Sequence, residues 1–186
     1  MKTIVFFGSA RKSGNTRALL NAFLQGSTGD VYEVDAYRVH NISPCIDCRH
    51  CWNKRECAIN DGMQDIYRKI DEADVIVLAS PMYFHCVTGP IKSIIDRCQV
   101  YWAGTIRGDR PKNLIKKGAI LMVGGAPSFP KQFEAGRIVL EGLLGDLGAE
   151  CKGIVVASHT DVDAVAKNEA KKAEAFALAK IIYSDQ

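Results

Sequence analysis

The sequence predicts an α/β protein built on a doubly wound, five-stranded parallel sheet with helices on both faces. Short apolar runs of strand length recur at 3–7, 73–79, 118–123 and 154–157, with a weaker one at 31–34. Stretches with helical spacing of apolar residues separate them, and polar loops follow the first, third and fourth runs. Alternating strand and helix implies crossover helices on both faces and right-handed connections, which leave few topologies. Such sheets bind ligands at the carboxyl ends of their strands, where the strand order reverses.

Each element has its own signal. The run 3–7, TIVFF, is β-branched and aromatic, as a strand buried on both faces requires. After the loop GSARKSGNT, Leu19, Leu20, Phe23 and Leu24 predict a helix over 15–25. Residues 31–34 form the second strand, 36–44 are polar and irregular, and 44–62 form a cysteine-rich insertion before the second helix. Met63, Ile66, Tyr67 and Ile70 predict a helix over 63–70, and ADVIVLA is the clearest central strand. The loop SPMYFHCVTG ends it, and Pro90 sits where a first helical turn tolerates proline, opening a helix through Ile91, Ile94, Ile95 and Cys98. Residues 101–117 read as a long linker and therefore a candidate functional loop. GAILMV is the fourth strand, followed by GGAPSFP and an amphipathic helix over 133–147 with Ile138, Leu140, Leu143, Leu144 and Leu147 on its apolar side. The strand at 154–157 and an alanine- and lysine-rich helix over 162–182 close the chain.

Composition bounds the possibilities. At 186 residues, read as one domain over 1–186, the chain should bury about 70% of its unfolded surface. With 47% hydrophobic and 24% charged residues it is neither disordered nor membranous. The net charge of +3 is mild and does not demand nucleic acid. No run of about eighteen apolar residues suggests a membrane partner, and the chain enters its first strand without a charged leader, so the expected compartment is the cytoplasm. Of seven cysteines, four crowd into 45–57, and the odd total fits a disulfide framework poorly. In a reducing compartment, clustered thiols more often bind metal.

The loop after the first strand has the chemistry of an anion cradle. Ser9, Ser13, Asn15 and Thr16 supply side-chain hydrogen bonds, Gly8 and Gly14 flexible backbone, and Arg11 and Lys12 positive charge, with no carboxylate. The helix that follows opens with unpaired N–H groups and roughly half a positive charge, to which a phosphate is suited. Neither GxxxxGK[ST] nor GxGxxG is present, so a Walker A loop and a dinucleotide fingerprint are excluded. The plainer alternative is a polar turn with Ser13 or Asn15 as helix cap. Tyr83 and Phe84 likewise read either as an aromatic ligand wall or as core aromatics under a loop.

The second signal is PCIDCRHCWNKREC, in which Cys45, Cys48, Cys51 and Cys57 follow CxxCxxCxxxxxC. Three cysteines at this spacing, with a fourth at a looser distance, are typical of four-iron clusters. The same thiolates suit tetrahedral zinc, and unliganded thiols are the third reading. Arg49, Lys54 and Arg55 would offset the charge of an anionic cluster, with His50 a donor to sulfur. Cys86, Cys98 and Cys151 are scattered and read as small buried hydrophobes, although Cys86 follows the candidate aromatic wall.

The combination of GSARKSGNT, then SPMYFHCVTGPIKSIIDR, then Gly124-Gly125 after the fourth strand resembles the flavodoxin-like family of NADPH-dependent FMN reductases and iron-sulfur flavoproteins, from Lys2 to about residue 182. The resemblance implies strand order 2-1-3-4-5 and FMN with its phosphate at Ser9, Arg11, Ser13, Asn15 and Thr16. It implies the flavin ring against Pro81, Met82, Tyr83 and Phe84, approached by Gly124 and Gly125. A flavin needs an apolar wall, close backbone and a separate anion site, which agrees with these residue types. His85 stands where the family often has glycine, and Asp96-Arg97 ends a helix as in the family, where it reads as structure or subunit contact. The cysteine motif is similar to that of iron-sulfur flavoproteins, which carry a 4Fe-4S cluster beside FMN. It departs in that Lys54-Arg55-Glu56 precedes the fourth cysteine, where a glycine is common, and Asp61-Gly62-Met63 replaces Asp-Asp-Met.

The function implied is electron transfer through FMN between a low-potential donor, such as a ferredoxin, and a small acceptor such as oxygen, peroxide or a quinone. A rival is a cluster-free NAD(P)H-dependent FMN or quinone reductase, with NAD(P)H as donor. A non-enzymatic alternative is a zinc-stapled interaction module on the same scaffold. A homo-oligomer, dimer or tetramer, is implied by resemblance, with Tyr101, Trp102 and Ile106 offering apolar surface in the linker.

Overall fold

The alternation of strand β1 (Lys2–Phe7) decides how the sheet is covered, because successive side chains point to opposite faces. Ile4 and Phe6 enter one apolar core, Val5 and Phe7 the other. The structure, a computed structural model, describes residues 1–110 and 115–184. After β1 come α1 (Asn15–Leu24), β2 (Asp30–Asp35), α2 (Met63–Glu72), β3 (Val75–Pro81), α3 (Gly89–Arg97), α4 (Gln99–Trp102) and α5 (Gly104–Arg107). The chain continues with β4 (Lys116–Val123), α6 (Glu134–Asp146), β5 (Ala149–Ala157) and α7 (Glu169–Tyr183), and single 3-10 turns lie at His50–Trp52 and Val165–Lys167.

All neighbouring strands pair in parallel, in the order β2-β1-β3-β4-β5, so the expected flavodoxin-like sheet is present. On one face Ile66 and Ile70 of α2, Ile91 and Ile94 of α3, and Leu140 and Leu144 of α6 pack on Ile4, Phe6, Ile76, Leu78, Ile120 and Met122. On the other, Leu19, Leu20 and Phe23 of α1 join Leu178, Ala179 and Ile182 of α7 over Val5, Phe7, Val77 and Leu121. Burial on both faces explains the unbroken apolar runs in the central strands.

Four expectations change. The fifth strand begins at Ala149 rather than 154; as the edge strand it leaves Glu150 and Lys152 in solvent, which hid it from a search for apolar runs. The last helix begins at Glu169 rather than 162, because the Asn168 side chain accepts from Lys171 N at 2.9 Å and caps it there. The expected linker holds α4 and α5; Tyr101 meets Tyr67 edge-on at 6.1 Å and donates to its carbonyl, whereas Trp102 and Ile106 are exposed. Residues 111–114 of that linker lie outside the described residues. Ile138 is 60% exposed, on the solvent side of α6. No helix among the described residues is long and apolar enough to cross a membrane.

Candidate functional site

Loops at the carboxyl ends of four strands enclose a cleft of about 210 Å³. From the loop after β1 it takes Ser9, Arg11, Gly14, Asn15 and Thr16; from the end of β3, Pro81, Met82 and Tyr83; from the end of β4, Val123 and Gly125. Thr160 and Asp161, from the loop after β5, complete it.

The start of α1 faces this cleft without a side-chain cap and without an acidic residue in its first turn. Its N–H groups and the positive end of its dipole are therefore available to an anion. Ser9 is buried and its hydroxyl accepts from Arg11 N at 3.2 Å, while Arg11 itself is exposed. Thr16 is buried at the cleft wall. Arg38, which sequence reading missed, donates to the carbonyl of Ala10 at 2.9 Å and brings a second guanidinium to this loop.

Asn15 has a different employment from the one expected. Its amide donates to Thr160 O and its side-chain oxygen accepts from Val165 N, both at 2.9 Å, so the side chain ties α1 to the loop after β5. That loop is zipped to the turn after β4 by His159 N to Ala126 O, at 2.7 Å, and by Thr160 N and Oγ1 to Gly124 O, at 3.1 Å each. Sequence reading assigned part of this loop to the last helix; the signal that could have found it was HTDVD directly after a strand end. At Gly125 a Cβ would lie 2.3 Å from Asp161 Oδ2, so the glycine lets the carboxylate close over the main chain. Gly124 does not border the cleft; the space beside it is taken by Gln132, 2.8 Å from a Cβ placed there.

Ser13 and Phe84 also stand outside the cleft wall, Ser13 exposed and Phe84 99% exposed. Phe84 and His85 are the two central residues of a tight hairpin turn, with φ of 47° and 66°, closed by Tyr83 N to Cys86 O at 2.8 Å and Cys86 N to Tyr83 O at 3.2 Å. Left-handed backbone is the province of glycine, and a bulky residue there is strained. Side-chain contacts compensate in part: His85 lies edge-on to Phe84 at 5.8 Å and to Phe129, in the loop after β4, at 6.1 Å.

A second cavity, tight at about 20 Å³, gathers all four clustered cysteines. Cys45, Cys48, Cys51 and Cys57 border it together with Arg49, Trp52, Arg97 and Val100. Burial raises the Cys51 thiol above its ordinary pKa, and the neighbouring thiolates Cys45, Cys57 and Cys48 add to it. Among the described residues no group of three or more His, Cys, Asp or Glu side chains is drawn together as a single-ion site.

Arg97 organises this loop. Its side chain is 1% exposed and pairs with Asp61, 4% exposed, at 2.7 Å. It also donates to the carbonyls of Ser43 and Ile59, on either side of the cysteine motif, at 2.6 and 3.2 Å. Burial pushes the Asp61 carboxyl up, but the hydrogen bonds from Arg97, Ser43 N and Met63 N outweigh it and hold the group below the usual carboxylate range. Arg107 donates to the Cys51 carbonyl and so ties α5 to the same loop. The cleft and the cavity share no lining residue, yet Met82 of one and Cys51 and Cys57 of the other pack on one apolar core.

Comparison with known proteins agrees with this architecture. The family profile described as NADPH-dependent FMN reductase matches residues 1–141. The chain is similar to an iron-sulfur flavoprotein of Archaeoglobus fulgidus, 33% identical over 134 residues, 71% of this chain and 58% of that one. It is also similar to an iron-sulfur flavoprotein of Methanocaldococcus jannaschii, 35% identical over 99 residues, 52% of this chain and 51% of that one. The chain thus spans between half and three-fifths of the length of these two curated relatives. Among solved structures, NAD(P)H:quinone oxidoreductase from Methanothermobacter marburgensis has the same fold, with a TM-score of 0.74, 16% identity, and coverage of 97% of this chain and 94% of that one. With the profile spanning both the loop after β1 and the loop after β3, the chain belongs to the NADPH-dependent FMN reductase family.

Proposed function

We propose that this chain is an FMN-dependent oxidoreductase that passes electrons between a low-potential donor and a small acceptor through an iron-sulfur cluster on Cys45, Cys48, Cys51 and Cys57. The observation that carries the flavin is the uncapped, carboxylate-free start of α1, opening on the cleft bounded by Pro81, Met82, Tyr83 and Gly125. The N–H groups of α1, with Ser9, Arg11 and Thr16, would hold the phosphate. Pro81, Met82 and Tyr83 would cover one side of the ring and exclude water, and Gly125 would bring main-chain groups to its edge. The four thiols, with an unpartnered buried N–H of Arg97 beside them, fit an anionic cluster. When bound, FMN supplies electron exchange singly or in pairs and a four-iron cluster supplies it singly, which would link a ferredoxin-type donor to a two-electron acceptor.

The experiment is to purify the protein anaerobically, measure iron and acid-labile sulfide, then remove the flavin and titrate with FMN and riboflavin. FMN should restore a yellow protein and bind at least tenfold more tightly than riboflavin, whose lack of phosphate leaves α1 unengaged. Equal affinities would remove the phosphate assignment, and absence of iron and sulfide after reconstitution would leave the NAD(P)H-dependent reductase as the reading. Exposed Trp102 and Ile106 support a homo-oligomer; light scattering that finds only monomer at micromolar concentration would refute it.

A further inference from the structure

A guanidinium carries five N–H donors, and in Arg97 four of them are accounted for. The two Nη1 hydrogens go to Ser43 O at 2.6 Å and Asp61 Oδ2 at 2.7 Å; the two on Nη2 go to Ile59 O at 3.2 Å and Asp61 Oδ1 at 3.0 Å. The fifth, on Nε, has no partner, and it is the only buried side-chain nitrogen or oxygen among the described residues in that condition. A buried donor is nearly always satisfied, so this one points to a group yet to be accounted for.

The surroundings say what kind of group. Arg97 lines the cavity of the four thiols Cys45, Cys48, Cys51 and Cys57. The orientation of Arg97 is fully determined by its other bonds: Asp61 takes the fork, and Tyr67 Oη donates to the Arg97 carbonyl at 2.8 Å. Such a side chain cannot swing to solvent for a partner.

We propose that the Nε–H of Arg97 donates a hydrogen bond to a sulfur of the iron-sulfur cluster, making Arg97 a positioning residue that also sets the cluster's potential. The inference rests on the cluster reading above. An N–H···S bond favours the more negative, reduced state, so it raises the midpoint potential. The rival partner for Nε is a cavity water.

The test uses reconstituted protein in which arginine carries 15N at Nε only, in an Arg49→Gln background because Arg49 also lines the cavity. Pulsed EPR of the reduced cluster should show a 15N coupling. Arg107 would not supply it, because its Nε donates to Asp109 at 3.0 Å. The coupling should disappear in Arg97→Lys, which keeps the charge and loses Nε, and the midpoint potential should fall. A cluster without 15N coupling overturns the inference alone, whether or not Arg97→Lys folds. Wild-type protein that takes up neither iron nor sulfide overturns the cluster reading and this inference together.

Discussion

Asn15 shows how one side chain can join two loops that sequence places 145 positions apart. Its amide satisfies Thr160 O and the N–H of Val165, a residue that is 1% exposed. Asn15→Ala would orphan that N–H, at a cost of about 1–3 kcal/mol in stability, and should also weaken FMN binding by loosening the Thr160 and Asp161 side of the cleft. Asn15→Asp keeps the acceptor for Val165 N but introduces a carboxylate at the proposed anion site. It should lose more flavin affinity than stability, a contrast that parallel urea melts and FMN titrations will read. His85 is the complementary case, a residue held at a left-handed φ of 66°, where glycine would sit without strain.

At the scale of elements, the cysteine loop is held by helices rather than by regular structure of its own. The end of α3 supplies Arg97, which bonds on both sides of the motif, and α5 supplies Arg107. Breaking a buried ion pair from one side strands the other charge. Arg97→Met should therefore destabilise the protein by about 3–5 kcal/mol, and adding Asp61→Asn should recover part of that loss. Denaturant midpoints for the two single variants and the double variant measure the coupling; additive losses would mean that the pair contributes nothing as a pair. The element boundaries predicted from periodicity held for α1, α2 and α3 to within a few residues. They failed for β5 and α7, where an edge strand's polar residues and the cap at Asn168 escaped a search for apolar pattern.

For the molecule as a whole, the apolar core on the α2, α3 and α6 face is shared ground between cleft and cysteine cavity. Cys98 lies inside that core, and burial, with the charge of Asp146, pushes its thiol up to about 12. An unfolded chain loses that proton near pH 8.5, so the stability the buried thiol contributes is intact below about 8.5 and is lost as pH rises towards 12, at about 1.4 kcal/mol per unit. Burial raises the Tyr67 and Tyr101 hydroxyls as well and acts in the same direction. The thermal midpoint should fall steadily above pH 9, and less steeply in Cys98→Ala; identical slopes would show that this thiol is not buried as described. What the amino-acid sequence determined by itself was local: which runs are strands, where the first helix begins, and that four cysteines are close enough along the chain to share one cavity. Tertiary structure alone decided the partners of Asn15, the staple between Arg97 and Asp61, and the entry of Thr160 and Asp161 into the cleft. Periodicity and spacing act within a few residues, whereas a hydrogen-bond partner is chosen only when sheet order brings distant loops to one edge.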